Sequence, residues 1–305
     1  MIYRQEYRGG VWVDLEQPTE EEVHQITQEF SISRQIEKEI LSPTPSPLVA
    51  ADGGATLLVL HFPSHNAEDG DADNQEIDFI VGSDFIVTVR YEVVAPLYHL
   101  KKLLETQALV SGKDSLTTDA LLEVLFAHLY ASVRDHTNHI ASHLERVERG
   151  MFDHHERETV RSISIVSREF LHAEAALANQ EESLVRFFKT LVERGMFDPS
   201  FAERAERILA ERTQVARLIT TLRAVATELR ETNNALLSAK QNEVIKILTV
   251  VSFIFLPLAL IAKIFAMKAK DMPFVDAPNG FWIIIGIMFI VALLLTLFVS
   301  RKHWI

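Results

Sequence analysis

The sequence has no cysteine, and its 305 residues include only 11 glycines and 10 prolines. The missing thiols exclude disulfides and every thiolate metal site. The scarcity of helix breakers matters most over residues 201–267, which hold no glycine and one proline, Pro257. A surplus of basic residues is missing as well: the net charge is −12. From Ile247 to Ile305 five basic residues face two acidic ones, +3, which leaves −15 for residues 1–246. Nucleic acid is therefore not an expected partner, because phosphate neutralisation needs clustered Lys and Arg. No nucleophile–base set and no phosphate loop is apparent, so an enzyme is not expected. The opening MIYRQEYRGG lacks the apolar run of a signal peptide, and the front half is expected to stay in the cytosol.

Two long apolar runs are present. ILTVVSFIFLPLALIA, Ile247 to Ala262, carries no charge and continues past Lys263 to Met267. Ala277 to Ser300 is likewise uncharged and includes FWIIIGIMFIVALLLTLFV. About 20 apolar residues in a helix cross a ~30 Å hydrocarbon core, so two spans are expected, over about 247–267 and 278–300. Lys240, Lys246, Arg301 and Lys302 flank the spans on one side, and Lys263, Lys268 and Lys270 on the other. That balance gives little orientation. The acidic front half gives more: both termini are expected inside, with the loop from Lys268 to Gly280 outside.

Before the spans, strands and helices alternate over the first hundred residues. GVWVDL reads as a strand. Thr19 then caps a helix with Glu22 at the capping-box spacing, and Val23, Ile26 and Phe30 mark its apolar face. LSPTPSP, Leu41 to Pro47, is a connection. ATLLVLHF, EIDFIVG and DFIVTVR read as strands, the last two forming a hairpin across Gly82-Ser83-Asp84. The acidic stretch HNAEDGDADNQE between the first two lacks calcium-loop spacing and reads as a solvated tip. No strand is expected after Val93. Helical periodicity runs over Leu116–Arg149 and His155–Arg194, each running into VERGMFD, where Gly150 and Gly195 suit a left-handed helix end. Phe201 to Met267 then reads as one helix of about 100 Å, with an apolar stripe at Ile208, Val215, Leu218, Leu222, Val225, Leu229 and Leu236. The expected divisions are an α/β domain over 1–100, helices and a long stalk over 101–246, and a membrane domain over 247–305.

The same spacing enters the first span. Asn242, Ile245, Thr249, Ser252, Leu256, Ala259 and Lys263 fall on one helical face, and Val250, Phe253, Ile254, Leu258 and Ile261 on the other. The first face suits a helix contact or a water-filled axis, and periodicity alone leaves both open.

NEVIKILTVVSFIFLPLALIAKIFAM, then Met-Pro, a second span and RKHWI, resembles the CorA family of magnesium and divalent-cation transporters. WVDLEQPTEEEV followed by a helix and a proline-rich turn resembles the way their cytosolic domains begin. The resemblance spans essentially the whole chain. It implies an αβα sandwich, a stalk of long helices, a two-helix transmembrane hairpin and a funnel-shaped homopentamer in the inner membrane. It also implies a pore lined by Asn242, Leu248, Thr249, Ser252, Leu256, Ala259 and Lys263, and an ion-entrance loop at Ala266, Met267, Lys268, Met272 and Pro273. Glu228 and Glu231 become candidates for cation sensing. No cofactor is implied; the bound ion, transported or regulatory, would be Mg²⁺ or Zn²⁺.

The departures concern that entrance. The family carries Gly-Met-Asn where this chain has Ala266-Met267-Lys268, a small residue where it has Lys263, and an acidic residue where it has Phe274. Each change removes an oxygen donor or adds an ammonium group, and Mg²⁺ binds oxygen. Lys263 and Lys268 can face a pore or snorkel to the outer interface. The expected function is thus CorA-like ion transport with altered selectivity or low conduction, the alternative being a non-conducting regulator or interaction partner. Lastly, His128, Asp135, His139 and His143, with His136 beside them, share a helix face. His136 and His139, or His139 and His143, have metal-pair spacing, although a solvated helix face is the plainer account of them.

Overall fold

The computed structural model describes residues 1–63, 74–111, 116–151, 156–267 and 279–301. It divides into an N-terminal unit, Met1–Arg230, and a C-terminal unit, Glu231–Ile305.

In the N-terminal unit six strands form one mixed sheet: β1 (Ile2–Tyr7), β2 (Gly10–Glu16), β3 (Leu48–Asp52), β4 (Ala55–Pro63), β5 (Asn74–Val81) and β6 (Phe85–Arg90). Their order is β1-β2-β6-β5-β4-β3; β2 and β6 run parallel and every other pair antiparallel. Helices α1 (Glu20–Glu29) and α2 (Arg34–Glu39) cover one face. Val23, Ile26 and Ile36 pack there against Val13, Leu57, Val59 and Val87. Helices α3 (Ala95–Ser111), α4 (Thr118–Gly150) and α5 (Glu156–Glu193) follow. Phe79 stacks on Phe126 of α4 with ring centroids 4.9 Å apart, and Phe62 meets Tyr130 at 5.8 Å. The unit is the expected αβα sandwich.

Local chemistry explains several boundaries. Thr19 and Glu22 close the capping box, each side chain bonded to the other's backbone N–H. The β5–β6 hairpin turns at Gly82, where a Cβ would lie 2.3 Å from the Phe85 ring. Gly195 ends α5 with φ +61°, and Met196 N–H bonds back to Leu191 O, as a left-handed helix end requires. Gly150 differs. It stays helical, and Met151 after it is right-handed and bonded to Val147 O and Glu148 O; the identical heptapeptide ends two helices in two ways. Part of the first heptapeptide, 152 and 153, lies outside the described residues, as does most of the acidic stretch between His65 and Glu76, framed by the paired Pro63 and Asn74.

Helix α6 runs unbroken from Phe201 to Ala266, as its lack of glycine predicts, and α7 spans Gly280–Arg301. In the N-terminal unit the buried face of α6 is Phe201, Ala205, Ile208, Arg212, Val215, Ile219, Ala226 and Leu229. This corrects the apolar stripe: Val225 is exposed and Leu218 only half-buried, because Ala226 and Ile219 take the inward positions. Arginines anchor the helix. Arg204 and Arg207 bond Glu123 of α4 at 2.6 Å each, and Arg212 bonds Glu181 of α5 at 2.6 Å and Leu177 O at 2.5 Å.

A charged network lies inside the sandwich. Asp14, from the WVDLEQ stretch, is fully buried and accepts from Arg90 Nε at 3.2 Å and Thr88 Oγ1 at 2.6 Å, with Lys101 of α3 also paired to it. Trp12 Nε1 donates to Thr88 Oγ1 at 3.1 Å, closing the set. Removing one partner of such a cluster strands a buried charge. Arg90→Ala is expected to destabilise the full-length chain by about 3–5 kcal/mol, against about 1 kcal/mol for Thr19→Ala. Urea unfolding in detergent, followed by circular dichroism, measures both.

Candidate functional site: the face of α6 left open by α7

In the C-terminal unit α6 from Ile247 and the whole of α7 are predominantly apolar, with no charge on α6 between Lys246 and Lys263. Only 6% of the most apolar 18-residue window of each helix is buried. A helix pair inside a soluble core would hide most of that surface, so these helices have the surface of membrane spans.

The hairpin has an inner and an outer face. Val250 is buried, Ile254, Pro257, Leu258 and Ile261 are half-buried, and Phe253 stacks on Phe298 of α7 at 6.2 Å. On α7 the less exposed residues include Ile284, Met288, Val291, Leu295 and Val299, at threes and fours, with Gly286, Ile287 and Ala292 beside them. The other face of α6 is uncovered. Asn242, Ile245, Leu248, Thr249, Leu256, Ala259 and Lys263 are exposed there, Leu256 by 69%, and Ser252 is half-buried. The candidate pore residues therefore share the face that α7 leaves free.

This face is sparsely polar. The Thr249 hydroxyl donates to Ile245 O at 2.7 Å, which satisfies its proton within the helix and leaves oxygen lone pairs outward. On the side that meets α7, not on this face, Pro257 supplies no N–H to Phe253 C=O, four residues back, so one carbonyl is left without its helical donor. Lys263 is the one charged residue between Lys246 and Met267, and it lies in the last turn of α6, where a cation complements the helix dipole. Ala266 ends the helix and Met267 is 65% exposed. Lys268, Met272 and Pro273 lie outside the described residues.

The other candidates lie apart from this face. His136 and His143 are half-buried on α4 and His139 is exposed. Glu169 of α5 is close enough to feel His143 and His139; burial raises its pKa, and the two histidines oppose that rise. Burial, and then the nearby His99, lower the pKa of His128. Among the described residues no three His, Asp or Glu side chains converge to hold a metal. Glu228 and Glu231 are exposed on α6. The Thr249–Ser252 edge of the open face was legible from spacing, whereas the carbonyl freed by Pro257 was missed although the proline alone reveals it.

A family model described as CorA-like Mg²⁺ transporter protein matches residues 7–301. The chain belongs to the CorA-like family. The cobalt/magnesium transport protein CorA of Methanocaldococcus jannaschii is 20% identical over 97% of this chain and 91% of its own length. The magnesium transport protein CorA of Salmonella typhimurium is 25% identical over 97% of this chain and 92% of its own. The complete structure of the Methanocaldococcus jannaschii CorA magnesium transporter superposes with a TM-score of 0.82, covering 97% of this chain and 92% of that one at 20% identity. The CorA fold thus includes both the sandwich and the apolar hairpin.

The hairpin register has a direct check, since the chain has no cysteine of its own. A Phe253→Cys/Phe298→Cys chain is expected to oxidise to an intramolecular disulfide in membranes. Leu256→Cys/Phe298→Cys should not, because Leu256 faces away from α7. Thiol titration and mobility on denaturing gels read both.

Proposed function

We propose that this protein is a CorA-like ion channel or transporter of the inner membrane in which copies of α6 line the pore, and that its lysine-bearing mouth gives it altered selectivity or low conduction for divalent cations. The family resemblance implies five copies in a ring, with both termini in the cytosol and the α6–α7 loop outside. The uncovered face of α6 supports this arrangement: five such faces around an axis would be shielded from lipid, while α7 packs on the outside. Mg²⁺ and Zn²⁺ are the cations to consider, as cargo or as regulatory ions.

One observation carries the reading of selectivity: Lys263 stands on the uncovered face, in the last turn of α6. Five ammonium groups about 8 Å from a divalent ion, at an effective dielectric of about 40, repel it by on the order of 10 kcal/mol before screening. One third of that slows access by roughly two orders of magnitude. Lysines in a ring also repel one another, so some lose their proton or splay toward the interface. Lys268 stands where the family has the asparagine of Gly-Met-Asn and supplies no oxygen to a hydrated cation. A ring of this sign suits exclusion of cations or admission of anions.

The same lysines favour a second reading, a non-conducting membrane protein that regulates or binds a partner. Flux into proteoliposomes separates the two. The Lys263→Gly/Lys268→Asn double variant is expected to carry Mg²⁺ about two orders of magnitude faster than the parent. A variant that forms intact oligomers and carries Mg²⁺ no faster contradicts the electrostatic reading, and absence of flux of Mg²⁺, Zn²⁺ and anions in both proteins favours the non-conducting one.

A further inference from the structure

Lys263 carries its charge at a depth and in a direction that the hairpin does not relieve. The uncharged stretch before it on α6, residues 247–262, measures about 24 Å as a helix. That is short of a hydrocarbon layer of about 30 Å, whereas α7 from Gly280 to Ser300 carries no charge over about 32 Å. With α6 crossing the layer, one of the two lysines that bound its stretch, Lys246 or Lys263, lies within it. Side chains on a helix lean toward the helix N-terminus. For Lys246 that direction leads to the boundary beside it. For Lys263 it leads deeper, over Ala259, one turn back on the same exposed face.

Among the described residues of the C-terminal unit no carboxylate lies near it. The closest on α6 is Glu243, 20 residues and about 30 Å away, and α7 has none. Asp271 and Asp276 of the intervening loop lie outside the described residues. The exposed side chains next to Lys263 on the open face, Leu256, Ala259 and Met267, are apolar. An ammonium group held there needs water and a counter-ion from solution. The wall also sets the kind of anion. Phosphate and sulfate give up their hydration only to several N–H or O–H donors, and these side chains offer none.

We propose that Lys263 is an anion site within the membrane: its ammonium group, leaning over Ala259 on the face that α7 leaves open, holds a small monovalent anion of the halide class. The site rests on the pore reading above, in which water fills the axis between copies of α6, and it adds a bound ligand to that reading. A halide between the ammonium groups of neighbouring copies offsets their mutual repulsion. The lysines then stay in the path rather than splay to the interface.

The same charge acts on whatever passes. Ala259 and Leu256 lie deeper along α6 than Lys263, so an ion entering from the α6–α7 loop side meets the ammonium groups first. Residues four apart on a helix have Cβ atoms about 6 Å apart, which brings position 259 directly under the charge. Anions are thereby concentrated at positions 259 and 256, and cations are depleted there.

Modification of an introduced thiol in the full-length protein in lipid nanodiscs tests this, since the chain has no cysteine. In Ala259→Cys, the rates of an anionic sulfonatoethyl thiosulfonate and a cationic trimethylammonioethyl one are compared, each divided by its rate with mercaptoethanol. A unit charge about 8 Å away, at an effective dielectric of about 40, changes each rate roughly fivefold and in opposite directions. Adding Lys263→Gln is therefore expected to lower the anionic-to-cationic ratio about 25-fold. Replacing gluconate by chloride at constant ionic strength should slow the anionic reagent severalfold while Lys263 is present, and leave it unchanged once Lys263→Gln is added. A ratio that Lys263→Gln does not move overturns the site, and so does an anionic rate indifferent to chloride; the pore reading survives both results. If Ala259→Cys reacts with neither reagent while Met267→Cys reacts with both, no water reaches the axis, and the pore reading falls together with the site. Should Ala259→Cys fail to form oligomers, Leu256→Cys carries the same comparisons.

Discussion

An α-helix pairs its own backbone N–H and C=O groups, so it can pass from water into hydrocarbon without leaving polar groups stranded. α6 uses that property over 66 residues, Phe201 to Ala266. What changes along it is the environment that its side chains accept. In the N-terminal unit the inward face alternates small or branched residues with Arg212, whose charge is matched by Glu181. In the C-terminal unit charge disappears between Lys246 and Lys263, and bulky residues meet α7. The one proline, Pro257, removes a single bond from the ladder without ending the helix.

That continuity gives the two polar systems of the molecule different tasks. The Asp14–Arg90–Lys101 cluster pairs buried opposite charges, and the buried Arg212 of α6 reaches the exposed Glu181. They fix the sandwich and seat the helix on it. Lys263 has no such partner among the described ion pairs, stands exposed in the last turn, and belongs to a face that is complete only when something covers it. The proposed change of selectivity or conduction rests on this exposed ammonium group.

Much of this was legible in the sequence, and the exceptions have physical reasons. The length of α6 followed from the absence of glycine, the spans from charge-free runs, and the α1 start from Thr19 and Glu22. The edge strands β1 and β3 were missed because IYRQEY mixes exposed polar residues with few apolar ones, and LVAAD follows a proline-rich run that masks it. The inward stripe of α6 was misplaced by one residue at two points: Leu218 and Ile219 are equally apolar and only packing separates them, and apolarity favoured Val225 over Ala226. An alanine is buried by its neighbours' size, which no spacing rule sees. The cross-strand pair of His61 and Glu76 depends on strand register and was invisible in the sequence. The period of threes and fours marks the same residues as the face that α7 leaves open, but a period carries no information on what covers that face.

The most direct measurement is the reversal potential of the unaltered protein in a planar bilayer under a MgCl₂ gradient. The lysine-mouth account predicts little current, or a current that reverses near the chloride equilibrium potential. A large current reversing near the magnesium equilibrium potential would contradict it.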